Sequence, residues 1–245
     1  MTVRRKVSDP PGTRRERVRD QTTVEIKQTA RRLLVEHGPE GLTLRAIARE
    51  MGMTAPALYR YFGSHEEILE ALCQDVMDEL EQVVAAARDS VDVGDPRGRL
   101  LAACRGFRRW ALEHRPEYQL TFATLLPELG PAPVDEVSLE NLGFGAVFLG
   151  IFVELWQAAP FPIPEEDELP PALVAQLRTF SAQVGDPLPL GALTAYLAGW
   201  VRLYGAVTIE TFGHVRFALQ DPEPMFEAML ADMGRALRPA APHRG

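Results

Sequence analysis

From Thr22 onward, Ile26, Ala30, Leu33 and Leu34 recur at helical spacing, and the pattern stops near Gly38 and Pro39. A first helix is predicted there. Thr43 stands at the next start as an N-cap, with Leu42 and Ile47 spaced to form a hydrophobic staple, and Leu44, Ile47 and Ala48 supply a packing face. Gly52 then breaks the pattern and permits a tight turn. Thr54 is a further N-cap candidate flanked by Met53 and Leu58, and Pro56 falls in the first turn, where a missing amide proton costs little. The pattern predicts two short helices over 44–51 and 55–61, joined as a helix-turn-helix. Ser64 followed by Glu67 reads as a capping box, after which Leu69, Leu72, Val76 and Leu80 carry a long helix.

The rest of the chain is also helical in pattern. Asp95-Pro96 and Asp221-Pro222 mark helix starts, an N-cap candidate followed by proline. Leu100, Leu101, Cys104, Phe107 and Ala111 form one stripe, and Tyr118, Phe122 and Leu125 form another. Residues 143–156 are apolar on almost every side, as a central covered helix is. The proline-rich run 160–171 reads as a loop. Leu193, Leu197, Trp200, Tyr204 and Val207, widened by Tyr196 and Leu203, predict a helix over 190–214. Phe226, Met229, Leu230 and Met233 predict the last one. No repeat period suits a solenoid. The expected fold is all-α: a basic mobile arm over 1–21, a three-helix domain over 22–66, a larger helical domain over 67–238 and a tail over 239–245.

Charge sharpens this division. Residues 1–66 hold 13 Lys or Arg against 8 Asp or Glu, whereas residues 67–245 hold 13 against 26, and the whole chain carries −8. A basic front can approach a polyanion while an acidic body is repelled by it, which favours one oriented contact. Glu154 and several glycines interrupt the longest apolar run, so no membrane span is expected. With no export signal legible, the chain is expected to be cytoplasmic. Its two cysteines, Cys73 and Cys104, lack metal-site spacing and read as buried small residues. No metal and no cofactor are expected.

The run 41–69, GLTLRAIAREMGMTAPALYRYFGSHEEIL, resembles the DNA-binding signature of the TetR family of regulators. The resemblance implies a dimer that binds operator DNA through its front domain and a small molecule in its larger one. Thr43 and Arg45 match the start of the supporting helix, and Thr54, Ala55 and Ala57 the exposed start of the recognition helix. Tyr59 matches the family's phosphate-facing tyrosine and Phe62 its hydrophobic anchor. His65 stands where the family usually has lysine. Thr43, Arg45, Thr54, Ala55, Ala57, Tyr59, Arg60, Tyr61 and His65 are the expected DNA-binding set; Leu44, Ile47, Ala48, Leu58 and Phe62 are read as core. Short side chains at 54, 55 and 57 favour thymine methyls and DNA shape over bidentate base contacts. The segment 199–214, GWVRLYGAVTIETFGH, is similar to the tryptophan-histidine-glycine helix of one C-terminal branch, with Tyr204 in the usual histidine place.

Phe107, Trp110, Tyr118, Phe122, Phe144, Phe148, Phe152, Trp156, Trp200 and Tyr204 are pocket candidates for an apolar or aromatic effector; each taken singly reads as packed core before ligand contact, and it is their abundance that points to a pocket. Tyr118, Tyr204 or His114 would supply polar discrimination. Trp200, Phe226, Met229 and Met233 are the expected dimer contact, as the resemblance implies late helices. An enzyme acting on an apolar molecule is one rival reading. Against it, Glu210 and His214, four residues apart, do not make a full ligand set, and no nucleophile motif or phosphate loop is present. A helical protein-interaction module is the other rival.

Overall fold

Thr13 opens the first helix, and the reason is local. Its hydroxyl accepts the Glu16 amide at 3.3 Å while the Glu16 carboxylate accepts the Thr13 amide at 2.6 Å, a reciprocal capping box. In this computed structural model, which describes residues 13–123 and 142–239, helix α1 therefore spans Arg14–Gly41. The expected start at Thr22 is corrected by two turns: residues 14–21 of the expected arm are helix. The end near Gly38 stands, since the backbone leaves helical geometry there before a last turn over Pro39. Residues 1–12 of the arm, residues 240–245 of the tail and Leu125 lie outside the described residues.

The chain divides into two compact units, Met1–Gln74 and Asp75–Gly245. In the first, α1 packs on α2 (Leu44–Glu50), which packs on α3 (Ala55–Leu58). Ile26, Ala30, Leu33, Leu34, Leu42, Ile47, Ala48, Leu58 and Phe62 are buried and make its core. Gly52 adopts a φ of +63° between α2 and α3, a conformation a side chain would resist. Helix α4 (His65–Asp89) runs from the first unit into the second.

In the second unit α5 (Pro96–Glu113) is the hub, packing against α6 (Arg115–Ala123), α7 (Phe144–Ala158), α9 (Leu190–Thr211) and α10 (Glu223–Ala236). Asp95 caps α5 by accepting the Gly98 amide at 2.8 Å, with Pro96 in the first turn. Gly106 lets α5 approach α4 closely, since a Cβ there would lie 2.7 Å from that of Ala87. Helix α8 (Pro171–Gln183) packs on α9, burying Val174, Leu177 and Ser181 at positions i, i+3 and i+7. The proline-rich run before it holds a short 3-10 turn, Glu166–Glu168. The protein is all-α: the described residues hold ten α-helices and no strand. None of these helices is long and apolar enough to cross a membrane.

Candidate functional site

In the first unit the two threonines expected at helix starts both cap. Thr43 accepts the Ala46 amide at 3.1 Å and Thr54 accepts the Ala57 amide at 3.3 Å. Both residues stay exposed, as do Arg45, Tyr59 and Arg60, while Ala55, Ala57, Tyr61 and His65 are half-buried. Tyr59 leaves 52% of its surface in solvent, a large exposure for an aromatic side chain. The expected helix over 55–61 is shorter than its pattern. After Leu58 the amides of Arg60 and Tyr61 bond three residues back, to Ala57 and Leu58, so the segment tightens into turns.

His65 is held inward. Its Nε2 lies 2.7 Å from the Leu42 carbonyl, and because a carbonyl only accepts, Nε2 carries the proton and donates. The ring thus ties the first turn of α4 to the residue before the Thr43 cap. Ser64 accepts the Glu67 amide at 3.2 Å, but the Glu67 carboxylate returns to the Gly63 amide at 2.5 Å rather than to Ser64.

The ten expected pocket aromatics fall into separate groups in the second unit. Phe107, Tyr118, Phe122, Phe144, Phe148, Trp200 and Tyr204 form one connected cluster, with ring centroids from 4.5 Å (Tyr118 on Phe122) to 6.4 Å (Phe144 on Phe148). Phe152 and Trp156 belong to a second group built on Phe161 and Tyr196. Trp110 stands apart, stacked on His114 at 5.1 Å and donating its indole N–H to Glu79 at 2.9 Å.

At the edge of the main cluster the Tyr118 hydroxyl pairs with Thr208 Oγ1 at 2.7 Å, and burial raises the Tyr118 and Tyr204 hydroxyls above the usual phenol range. Both stay protonated at neutral pH. A cavity lies between the two groups, lined by Leu100, Cys104, Phe148, Phe152, Tyr196, Gly199, Trp200, Leu203 and Met233. Its volume is about 10 Å³, room for a single water-sized sphere.

Ion pairs that no spacing in the sequence reveals tie α5 to its neighbours. Arg108 grips Glu210 through two hydrogen bonds of 2.7 Å, and this pair is largely buried. Arg99 reaches Glu154 of α7 at 2.6 Å and Asp89 of α4 at 3.3 Å. Glu210 is therefore occupied by arginine, and α9 ends at Thr211 rather than at the expected 214, so His214 lies beyond the helix that carries Glu210. Among the described residues no group of three or more metal-ligating side chains gathers. A signal existed for Glu154, the one charge in apolar α7, and for Glu210, one of two charges in α9, but their arginine partners are 55 and 102 residues away.

Of the expected dimer residues, Phe226 and Met233 are buried within the protomer, and Trp200 and Met229 are half-buried. The Arg108 guanidinium lies 5.1 Å above the Phe226 ring. The large apolar side chains that α9 and α10 leave exposed are others: Val201 at 70%, Met225 at 64% and Ile209 at 42%.

Comparison with known proteins follows these two units. Residues 26–72 match "Bacterial regulatory proteins, tetR family", and residues 100–233, more than half of the chain, match "Tetracyclin repressor-like, C-terminal domain". An HTH-type transcriptional regulator of Mycobacterium tuberculosis strain H37Rv is 29% identical over 218 residues, 89% of this chain and 92% of that protein. A crystal structure of the regulatory protein SCO4313 is 31% identical, covers 90% of this chain and 98% of its own, and superposes with a TM-score of 0.64. RolR in complex with resorcinol shares the fold at 17% identity, covering 94% of this chain and 100% of its own, with a TM-score of 0.55. With both units matched in order, the chain belongs to the TetR family of bacterial regulatory proteins.

Proposed function

We propose that this regulator is a ligand-responsive repressor, a homodimer that holds palindromic or nearly palindromic operator DNA and releases it when a small apolar or aromatic molecule binds its second unit. The observation that carries the reading is the pair of capped short helices, α2 and α3, presenting Thr43, Arg45, Thr54, Tyr59 and Arg60 to solvent. Hydroxyls and guanidinium groups so placed suit phosphate oxygens, with Ala55, Ala57 and Tyr61 beside them. His65 acts in this reading by seating α4, since its proton is already donated to Leu42.

The aromatic cluster supports an apolar or aromatic effector, and RolR, of the same fold, is complexed with resorcinol. Ligand pockets run to roughly 300–1,000 Å³, so an effector seated among these rings parts them and thereby selects a different protomer arrangement. Because α4 is continuous between the units, its displacement would change the spacing of the two recognition segments in a dimer. Self-association is assigned to α9 and α10, with Val201, Ile209 and Met225 outward and Trp200, Phe226, Met229 and Met233 at or beneath the contact. The tryptophan-histidine-glycine branch is proposed from the segment 199–214 alone, with Tyr204 in the histidine place.

The test is to select duplexes from a random-sequence pool with the full-length chain and to footprint those enriched. A repeated half-site is expected, with centres roughly 34–36 Å apart or a greater distance on one face of the duplex. Tyr59→Phe should weaken binding by a similar factor on every enriched sequence. No enrichment over random fragments at moderate salt would overturn the reading.

A further inference from the structure

Arg14, Arg15, Arg17 and Arg19 occupy the first two turns of α1, and all four are exposed. Two of them continue the stripe by which α1 packs. Arg15, Arg19, Thr22 and Ile26 follow one another at intervals of four, three and four residues, which places them on one helix face, and Ile26 is fully buried. Where the apolar core ends, that face therefore carries guanidinium groups. What they stand beside is the recognition segment. An Nη of Arg19 lies 3.4 Å from the carbonyl oxygen of Arg60, the residue after exposed Tyr59. Arg15 is one turn, about 6 Å, further along the same face.

This extension is built rather than frayed, because the Thr13 box closes its first turn and engages the Glu16 carboxylate. Asp20, the other acid in the stretch, lies about 100° around the helix from Arg19. The stretch also precedes residues 26–72, so the match to the family's DNA-binding region assigns it no role.

We infer that Arg15 and Arg19 form a second phosphate contact, gripping the duplex backbone beside the base pairs that the recognition segment meets. The inference rests on the DNA-binding reading above. Guanidinium groups bind phosphate through paired hydrogen bonds and neutralise it without reading sequence, so the contact adds affinity and salt dependence and leaves base preference alone. Each phosphate neutralised steepens the dependence of log affinity on log salt by about 0.9.

The experiment compares the full-length wild type with Arg15→Gln/Arg19→Gln, on duplexes that the wild type enriches from a random pool, across a series of salt concentrations. Glutamine keeps helix propensity, and circular dichroism and the melting temperature check that α1 persists. The variant's salt slope should be shallower by about two per chain bound, with affinity lowered by a similar factor on every enriched sequence. Arg15→Lys/Arg19→Lys should keep the wild-type slope. Ethylation interference on the wild type, which needs no variant, should add phosphates in each half-site outside the base pairs that set preference. Parallel salt slopes, a changed base preference at constant slope, or the absence of those phosphates overturns the contact while leaving the DNA-binding reading intact. A wild type that enriches no duplex sinks both together.

Discussion

The hydroxyls of Thr43 and Thr54 each accept an amide of their own helix, which leaves one O–H and one methyl for any other partner. Structure and readout at Thr54 are therefore separable by substitution. Thr54→Ala removes the cap and should cost about 1 kcal/mol of stability, whereas Thr54→Ser keeps the cap and loses only the methyl. Thermal unfolding should distinguish the two variants, while DNA selection should show both losing any preference for thymine; equal melting temperatures would mean that the cap carries no weight. Cys104 offers a second check at this scale. Burial pushes its thiol up to about 12, so at pH 8 only about one molecule in ten thousand carries the thiolate that reacts. Iodoacetamide should leave Cys104 unmodified in the native protein and label it fully in guanidinium chloride. Native labelling at the rate of a free cysteine would show that α5 opens readily.

Among the elements, α5 concentrates the long-range ties, and the Arg108–Glu210 pair tests them. Removing one partner leaves a largely buried charge without its match, so Glu210→Ala should cost roughly 3 kcal/mol, the lower end of the usual range because Glu223 also lies 3.6 Å from Arg108. Replacing both members, Arg108→Leu with Glu210→Leu, should recover most of that loss in urea unfolding. A single variant costing under about 1 kcal/mol would mean that the pair is solvated like a surface one. This pair also shows what the sequence could and could not reveal. Starts marked by a cap and a proline, such as Asp95-Pro96, were legible because their signals lie within four residues. The start of α1 carries an equally local signal, Thr13 with Glu16, but the neighbouring prolines and arginines read as an arm and masked it. Helix α8 was missed although Val174, Leu177 and Ser181 have helical spacing, because the prolines before it read as loop. The division of ten aromatics into groups depends on how α5, α6, α7 and α9 meet, and no spacing within one helix encodes that.

For the whole molecule, the first question is whether the proposed dimer forms through α9 and α10. Val201 and Met225 are apolar, exposed and on the helices assigned to self-association, so a charge there meets water in a monomer and apolar surface in a dimer. Val201→Glu/Met225→Glu should stay folded and shift the mass in sedimentation towards the monomer. Met233→Glu, at a buried position, should instead lose cooperative unfolding first. A folded double variant with unchanged dimer affinity would move the interface elsewhere on the surface.

The second question is whether occupancy of the aromatic cluster and DNA binding are coupled, and thermodynamic linkage makes it answerable from both ends. If an aromatic molecule prefers the arrangement with parted rings, and operator DNA prefers another, each must weaken the other by the same factor, typically 5- to 150-fold. Single-ring phenols and apolar aromatics, resorcinol included, are titrated by calorimetry against the chain with and without a duplex that it enriches. DNA affinity is then measured over the same concentrations. Phe148 lines the cavity and touches Phe144 and Trp200, so Phe148→Ala should admit bulkier rings and lower the affinity for small ones. It should also cost about 3–5 kcal/mol of stability, which urea unfolding separates from the binding effect. Mutual weakening, by one common factor in the two titrations, would support the repressor switch. A molecule that binds the second unit of wild type while neither affinity depends on the other partner would reject that switch, since a ligand with equal affinity for both arrangements shifts neither.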